Sequence, residues 1–164
     1  MGYWFYGWHT VYSFCIIEDR MDLVTLQEDI IREEGGLLLE PYQDHLGYWT
    51  ISAGHLIRDH EKEELMKPIT HERAVELFEK DLDVAIDDAN TFCEGMDIDD
   101  NVRECVIHMS FQLGLPKLSQ FKKFKQALQN NDIETAILEM KDSRAYNQTT
   151  NRWNRLIEKM EKSI

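Results

Sequence analysis

The stretch that decides the fold runs from Glu33 to His55 and reads EEGGLLLEPYQDHLGYWTISAGH. Its paired glycines, at positions 35 and 36, predict the end of a helix, because glycine readily adopts the left-handed backbone that follows a last helical turn. The residues after them change in character: DHLG has turn chemistry, and GYWTISAGHLI is aromatic and β-branched. This pattern predicts a small antiparallel sheet directly after the helix.

Helical periodicity flanks the predicted sheet on both sides. Upstream it predicts a helix over 22–34, whose broad apolar face is formed by Leu23, Val24, Leu26, Ile30 and Ile31. Downstream, Pro68 and a Thr70 N-cap begin one long helix, whose apolar positions are Ala74, Leu77, Leu82 and Ile86. Further helices are predicted at about 101–113, at 119–129 with Ser119 as cap, at 132–142, and at 150–163 with a Thr149 or Thr150 cap.

Strands near the start and helices after them predict an α+β fold. We expect a sheet lobe over about 35–66, and a larger helical lobe over about 70–164 that also includes the helix at 22–34. The long helix joins the two lobes, and the cleft between them is the default site. The 164 residues suffice for one domain with a hydrophobic core, and their 43% hydrophobic and 30% charged content is typical of a globular protein.

The first twenty residues differ from the rest of the chain. They are rich in aromatics and have no Lys or Arg before Arg20, so they lack the basic region of a secretory signal. Their apolar run is shorter than the roughly 20 residues that a membrane helix needs. We expect residues 1–20 to be an extension upstream of a natural start at Met21, and the domain to span 21–164. The alternative is an extra strand or a segment that touches a membrane, and no stable membrane insertion is predicted.

Composition argues against several classes of partner. The net charge is −13, from 31 acidic and 18 basic residues, which disfavours binding to nucleic acid or anionic membranes. Cys15, Cys93 and Cys105 show no CxxC spacing, so neither a disulfide framework nor a zinc site is indicated. His55 and His60 are five residues apart, which is wrong for two ligands on one helical face. We therefore predict no metal and no cofactor.

Acidic residues around the predicted hairpin suggest glycoside cleavage. That reaction needs one carboxyl to protonate the leaving oxygen and a second, across the sugar, to direct water or to attack. Asp44 in the hairpin could be the second, while Glu33, Glu34 and Glu40 compete for the first role. Helical phase favours Glu34, which lies at the centre of the apolar face, whereas Glu33 lies about 100° away toward the rim. On the pattern alone, such acids are also common as solvated turn residues.

Three segments carry a family resemblance. YQDHLGYWTISAGHL, VIHMSFQLG and SRAYNQTTNRWNRLI resemble the T-even-type phage lysozymes, or endolysins, which are muramidases. The resemblance implies that Glu34 is the general acid, that Asp44 positions the hydrolytic water and that Thr50 assists. It implies cleavage of peptidoglycan between N-acetylmuramic acid and N-acetylglucosamine with inversion, in bacterial lysis. It also implies a lysozyme-like fold. We expect a monomer that stays in the host cytoplasm until lysis and then acts on the cell wall.

The same resemblance implies supporting roles for other residues. His55 matches a histidine that pairs with an aspartate on the long helix, here Asp81. Arg152 matches an arginine that contacts the acid. The residues that match cleft-lining positions are Gln112, Gln148 and Thr149. Taken alone, each of these side chains is more typical of a capping, surface or satisfied core residue.

The sequence also departs from the family pattern. The interval from Glu34 to Asp44 is one residue longer than usual, and a match without a gap sets Gly35 where the acid belongs. We expect the two glycines to absorb the extra residue. The alternatives are a catalytically inactive peptidoglycan-binding relic, and a lytic transglycosylase that would not need Asp44 to hold water.

Three further departures concern the sheet lobe and the surface. Ser52 and Ala53 replace a glycine and an apolar residue of the family, and strain of about 1 to 2 kcal/mol is expected if Ser52 must adopt a backbone angle that glycine tolerates. The segment between His55 and Thr70 is short, which predicts a smaller sheet lobe and a more open cleft. The acidic surface predicts weaker or more salt-dependent binding to peptidoglycan, which itself carries carboxylates.

Overall fold

A computed structural model describes residues 22–44 and 46–164. The predicted extension over 1–20 lies outside the described residues. Within them, a three-stranded antiparallel sheet follows the first helix, and the rest of the chain is helical. The predicted α+β fold is confirmed.

The first helix, α1, spans Leu23–Glu33 and begins at Asp22, whose carboxylate accepts a hydrogen bond from the Val24 N–H at 3.1 Å. It ends at the paired glycines, where positive φ angles turn the chain into the sheet. Leu26 and Ile30 are fully buried, but Val24 is 62% exposed, so its predicted place on the buried face is wrong. Val24 lies two residues before Leu26, about 160° around the helix, and therefore points away from the core.

The sheet consists of β1 (Leu38–Gln43), β2 (Trp49–Ser52) and β3 (His55–Leu56), in that spatial order. Tyr42 pairs with Thr50 and Ile51 pairs with His55, with an irregular register in the first half of β1. A small apolar core holds this lobe together and is formed by Ile51, Ile57, Leu65 and Leu77. Ser52 has φ +55°, so it does adopt a backbone angle that glycine tolerates.

The long helix, α3, spans His71–Phe92, and its Thr70 cap is confirmed by a hydrogen bond from the Arg73 N–H at 3.2 Å. A short helix, α2 (Lys62–Leu65), precedes it. The remaining helices are α4 (Asp100–Leu113), α5 (Leu115–Leu118), α6 (Lys122–Gln129), α7 (Ile133–Lys141), α8 (Arg144–Gln148) and α9 (Thr150–Met160). They pack around a second, larger core that includes Trp153, Phe92, Phe124 and Met109.

Two predicted caps in the helical lobe are wrong. Ser119 ends α5 instead of beginning a helix, because Gly114 and Pro116 start a separate helical turn and α6 begins only at Lys122. Thr149 precedes α9, but its hydroxyl donates back to Ala145 and makes no cap bond. The Thr150 hydroxyl likewise bonds back, to Tyr146, because the preceding helix α8 presents its last carbonyl groups to both threonines.

Candidate active site

Glu34 lies at the end of α1, where its backbone N–H still donates to the Ile30 carbonyl at 3.0 Å. Its carboxylate Oε1 accepts a hydrogen bond from Nη1 of Arg152 on α9 at 2.5 Å. The Arg152 side chain is 8% exposed and that of Glu34 is 19% exposed. The carboxylate is therefore held in a fixed direction by a buried cation, and still reaches solvent.

Gly54, in the turn between β2 and β3, is the point of the sheet lobe that meets Glu34. A Cβ atom built at Gly54 would lie 2.7 Å from Oε2 of Glu34, and the residue has φ +81°. Both the close approach and the backbone angle require glycine. Gly54 was not predicted as a site residue, although a glycine between two strands is a known signal of close backbone approach.

The two glycines before β1 lie in an open turn. Gly36 donates to the Ile31 carbonyl at 2.8 Å, and Gly35 donates to the Arg32 carbonyl at 3.2 Å. A Cβ at either glycine would meet no described atom within 4 Å. Such a turn has room for the extra residue, and the carboxylate next to Arg152 belongs to Glu34.

The Glu33 side chain is more buried than helical phase predicted. Its carboxylate makes two bonds to Arg155 of α9, at 2.5 Å each, and its side chain is only 8% exposed. The hydrogen bond to Arg155 holds the pKa of Glu33 below its usual value. The predicted rim position is wrong because the Arg155 side chain reaches across from α9 and covers Glu33.

Asp44 ends β1 and opens the hairpin turn. Its Oδ1 accepts hydrogen bonds from the N–H groups of Leu46 at 2.9 Å and Tyr48 at 2.8 Å. Its own backbone N–H donates to the Tyr48 carbonyl at 2.9 Å. The backbone amides of the turn therefore fix the direction of this carboxylate.

Thr50 and Tyr42 lie opposite each other on β2 and β1. Thr50 is buried, and its hydroxyl donates to the Tyr48 carbonyl at 3.1 Å. Burial raises the pKa of Tyr42, and the negative charges of Glu34 and Asp44 raise it further. One phenol thus lies in the electric field of both candidate acids. Tyr42 was not predicted as a site residue, although it lies two residues before Asp44 and so on the same side of the strand.

His55 connects the sheet lobe to the long helix. Its Nδ1 lies 2.7 Å from Oδ2 of Asp81, which is the partner that the resemblance implied, and its Nε2 lies 3.3 Å from Oε1 of Glu61. The hydrogen bond to Asp81 raises the pKa of His55, and the charges of both carboxylates add to this against the effect of burial. The contact with Glu61 was not predicted.

Gln112 and Thr149 bond to each other on the wall of the helical lobe. The Gln112 amide donates to the Thr149 hydroxyl at 3.0 Å, while its carbonyl oxygen accepts from Nε1 of Trp153 at 3.1 Å. Gln148 instead lines a groove of about 890 Å³, together with Leu46 of the hairpin and residues of α5, α6 and α8. Nearly all of the groove's lining belongs to the helical lobe, and Glu34, Asp44 and Thr50 are not part of it.

Neither a metal site nor a membrane-spanning helix is found in the described part of the chain. No group of His, Cys, Asp or Glu residues within 22–44 and 46–164 is arranged to hold a metal ion. None of the described helices is long and apolar enough to cross a membrane. Cys93 and Cys105 are buried free thiols.

Comparison with known proteins gives consistent matches. A family model described as Phage lysozyme matches residues 32–162. A protein of Dictyostelium discoideum named Probable T4-type lysozyme 2 is 30% identical over 158 residues, which covers 82% of this chain and 93% of that protein. Probable T4-type lysozyme 1 of the same organism is 32% identical over 165 residues, covering 85% of this chain and 95% of that protein.

Proposed function

Because the chain belongs to the phage lysozyme family and is a glycoside hydrolase of the lysozyme type, we propose that it cleaves peptidoglycan between N-acetylmuramic acid and N-acetylglucosamine with inversion. One observation carries this proposal: the carboxylates of Glu34 and Asp44 are each held in a fixed direction, and the negative charges of both raise the pKa of the same residue, Tyr42. Such a pair can act on the two faces of one sugar.

Glu34 is the general acid in the proposed mechanism. Arg152 binds Oε1, so the other oxygen, on the Gly54 side, carries the proton to the leaving glycosidic oxygen. Because the direction of the carboxyl is set before substrate binds, little orientational freedom is lost on the way to the transition state.

Asp44 and Thr50 hold the attacking water. Oδ1 of Asp44 is occupied by two turn amides, which leaves Oδ2 as the oxygen that takes a proton from water. The Thr50 hydroxyl gives its hydrogen to the Tyr48 carbonyl, and its oxygen can therefore accept the second hydrogen of the water. An inverting reaction with water between the acids needs roughly 6.5 to 9.5 Å between the two carboxyl groups.

The groove beside Gln148 is proposed to bind the glycan strand of the bacterial wall. Its lining contains four basic side chains, Lys117, Lys122, Lys123 and Arg144, against two acidic ones, Glu139 and Asp142. This local excess of positive charge suits a polymer with carboxylates, although the whole chain carries −13. We propose that breakdown of the wall leads to lysis of the bacterial cell. Since both relatives come from Dictyostelium, the proposal is not restricted to phage infection.

Release of reducing ends from purified peptidoglycan at low salt tests the proposed acid. Glu34→Gln should lower kcat by about a thousandfold or more, since a missing proton donor cannot be replaced by a neighbour. Glu40→Gln is the matched control, because Glu40 is an exposed acid on β1, and its activity should equal that of the parent. An inactive parent would identify the protein as the peptidoglycan-binding relic, and equal activity of Glu34→Gln would assign the acid elsewhere.

Asp44→Asn separates the hydrolase from a lytic transglycosylase. The hydrolase should lose activity by several orders of magnitude, because its attacking water is no longer activated. A transglycosylase, which uses the sugar's own hydroxyl, would cleave at nearly the parent rate. Mass spectrometry of the products checks the result, since the transglycosylase product is one water lighter.

A further inference from the structure

A row of polar side chains on α4 faces α9. Glu104, His108 and Gln112 are spaced four residues apart and therefore lie on one stripe of the helix. Glu104 pairs with Lys159, and Gln112 accepts a bond from Trp153. His108, between them, is 2% exposed, and neither of its ring nitrogens has a hydrogen-bond partner among the residues that the structure describes.

Arg152 also has buried polar atoms without a hydrogen-bond partner among the described residues. Nη1 donates to Glu34, but Nε and Nη2 are buried and find no acceptor within residues 22–44 and 46–164. Buried polar atoms are nearly always bonded, either to protein or to an ordered water with two or more polar partners. The guanidinium offers donors and a neutral imidazole offers one acceptor, so the two unsatisfied groups are complementary.

Burial and the surrounding charges keep the His108 ring neutral. Burial lowers its pKa to about 4, and the positive charges of Arg152 and Lys159 on α9 act in the same direction. Asp29 and Glu33 on α1 act against this, but each lies beside a cation of α9, at Lys159 and Arg155. Because Glu104 pairs with Lys159 and Gln112 bonds to Trp153, His108 lies between two contacts of α4 with α9, and Arg152 is the chain neighbour of Trp153. Arg152 therefore has unused N–H groups in the same seam as the neutral ring.

We propose that His108 is a positioning residue for the glycosidase: its ring accepts, through one buried water, a hydrogen bond from the inner N–H groups of Arg152 and thereby fixes the direction of Glu34. This inference rests on the proposed role of Glu34 as the acid. Without the second anchor, the guanidinium turns about its single bond to Glu34, and the carboxyl loses its fixed orientation. A small misplacement of a catalytic group is enough to slow a reaction strongly.

Two substitutions test this by opposite effects on folding and on catalysis. His108→Leu removes the acceptor but keeps an apolar side chain that fills the core, so the melting temperature should be equal or higher while kcat falls about tenfold at unchanged KM. His108→Asn keeps an acceptor oxygen and should retain kcat within about twofold. Ile107→Val, a buried change on the same helix without polar groups, is the packing control and should keep the parent kcat.

A purely structural role predicts the reverse order, with His108→Leu fully active and His108→Asn impaired in proportion to its lost stability. That result would overturn the inference.

A second measurement needs no turnover. In the parent and in His108→Asn, the Arg152 Nε–H should give a nuclear magnetic resonance signal that exchanges slowly with solvent, and in His108→Leu this signal should broaden or vanish. An inactive parent that shows this pattern contradicts the proposed function and leaves the contact between His108 and Arg152 established. An active parent whose signal and kcat are unchanged in His108→Leu contradicts the inference alone.

Discussion

Two buried histidines, one in each lobe, have opposite electrostatic surroundings. His55 in the sheet lobe lies between the carboxylates of Asp81 and Glu61, and its pKa is raised. His108 in the helical lobe lies near Arg152 and Lys159, and its pKa is lowered to about 4. Burial lowers the pKa of both side chains, so the charge of the neighbours decides the sign of the shift. The surroundings therefore favour the protonated form of histidine in one lobe and the neutral form in the other.

The difference follows from how each lobe is held together. The sheet lobe has a core of only a few apolar side chains, formed by Ile51, Ile57, Leu65 and Leu77, and the ion pair of His55 with Asp81 adds a polar attachment to α3. The helical lobe has an extensive apolar core and needs no charged pair at His108. There the polar seam between α1, α4 and α9 can serve the orientation of Glu34.

Among substitutions outside the two candidate acids, the largest loss of activity is expected where the two lobes meet. Gly54→Ala places a methyl group 2.7 Å from Oε2 of Glu34 and strains the backbone at φ +81°. We expect kcat to fall about a hundredfold, because the carboxyl must move. Gly95→Ala is the matched control: its φ is +75°, and its Cβ would meet no described atom within 4 Å. Activity measurements and urea melts should show similar strain in both variants but a loss of activity only at Gly54. Equal activity of the two would show that Glu34 does not depend on this contact.

The pH dependence of stability should distinguish the two histidines. The folded pKa of His108 is below the usual histidine value of 6.5, so the unfolded chain binds its proton first, and stability is lost as pH falls from 6.5 toward 4. The difference between these two pKa values corresponds to at most about 3 kcal/mol of folding stability. The folded pKa of His55 is raised, so its contribution is present below 6.5 and is lost as pH rises through the folded pKa.

Urea titrations between pH 4 and 9 measure both slopes. His108→Leu should flatten only the acid side of the stability curve, and Asp81→Asn only the side above pH 6.5. If either variant flattened both sides, the two histidines would not be independent.

Asp81→Asn tests the attachment of the sheet lobe directly. We expect the free energy of unfolding at pH 6 to fall by about 1 to 3 kcal/mol, because the partly buried charged partner of the buried His55 is removed. Peptidoglycan hydrolysis should persist, since neither residue contacts Glu34 or Asp44. An unchanged urea midpoint would mean that the small apolar core alone attaches the lobe.

The smallest effect is expected at Ser52, within the sheet lobe. Ser52→Gly relieves a left-handed backbone angle, φ +55°, and removes the hydrogen bond from the Ser52 hydroxyl to the Ala74 carbonyl at 2.7 Å. Relief of strain and loss of the hydrogen bond each change the free energy of unfolding by about 1 kcal/mol, in opposite directions. The net change should therefore stay within roughly 0.5 kcal/mol. Ser52→Ala loses the bond and keeps the strain, and should destabilise by about 1 kcal/mol. Thermal melts that rank the two variants the other way would exclude this assignment.

Local patterns predicted much of the fold. The glycines that end α1, the Thr70 cap and the small antiparallel sheet were all predicted from features within a few residues. The caps at Ser119 and Thr149 were not, because a helical turn inserted nearby changes which carbonyl a hydroxyl reaches.

The candidate site was predictable where the sequence pattern or the resemblance names a residue, and less so where distant segments meet. The burial of Glu33 depends on Arg155, 122 residues away, and helical phase alone cannot reveal that partner. Gly54, Glu61 and His108 were missed for the same reason: each gains its role from a contact across elements. A buried histidine without a partner has no signature in the sequence, and only the packed structure shows it.

The configuration of the first-formed sugar product tests the central claim most directly. Proton nuclear magnetic resonance can follow cleavage of the β-linked muramic acid bond in a soluble glycan fragment before the anomers equilibrate. If Glu34 protonates the leaving oxygen while Asp44 directs water to the opposite face, the new reducing end appears as the α-anomer. Initial release of the β-anomer, or of a product that lacks a reducing end, would contradict the account.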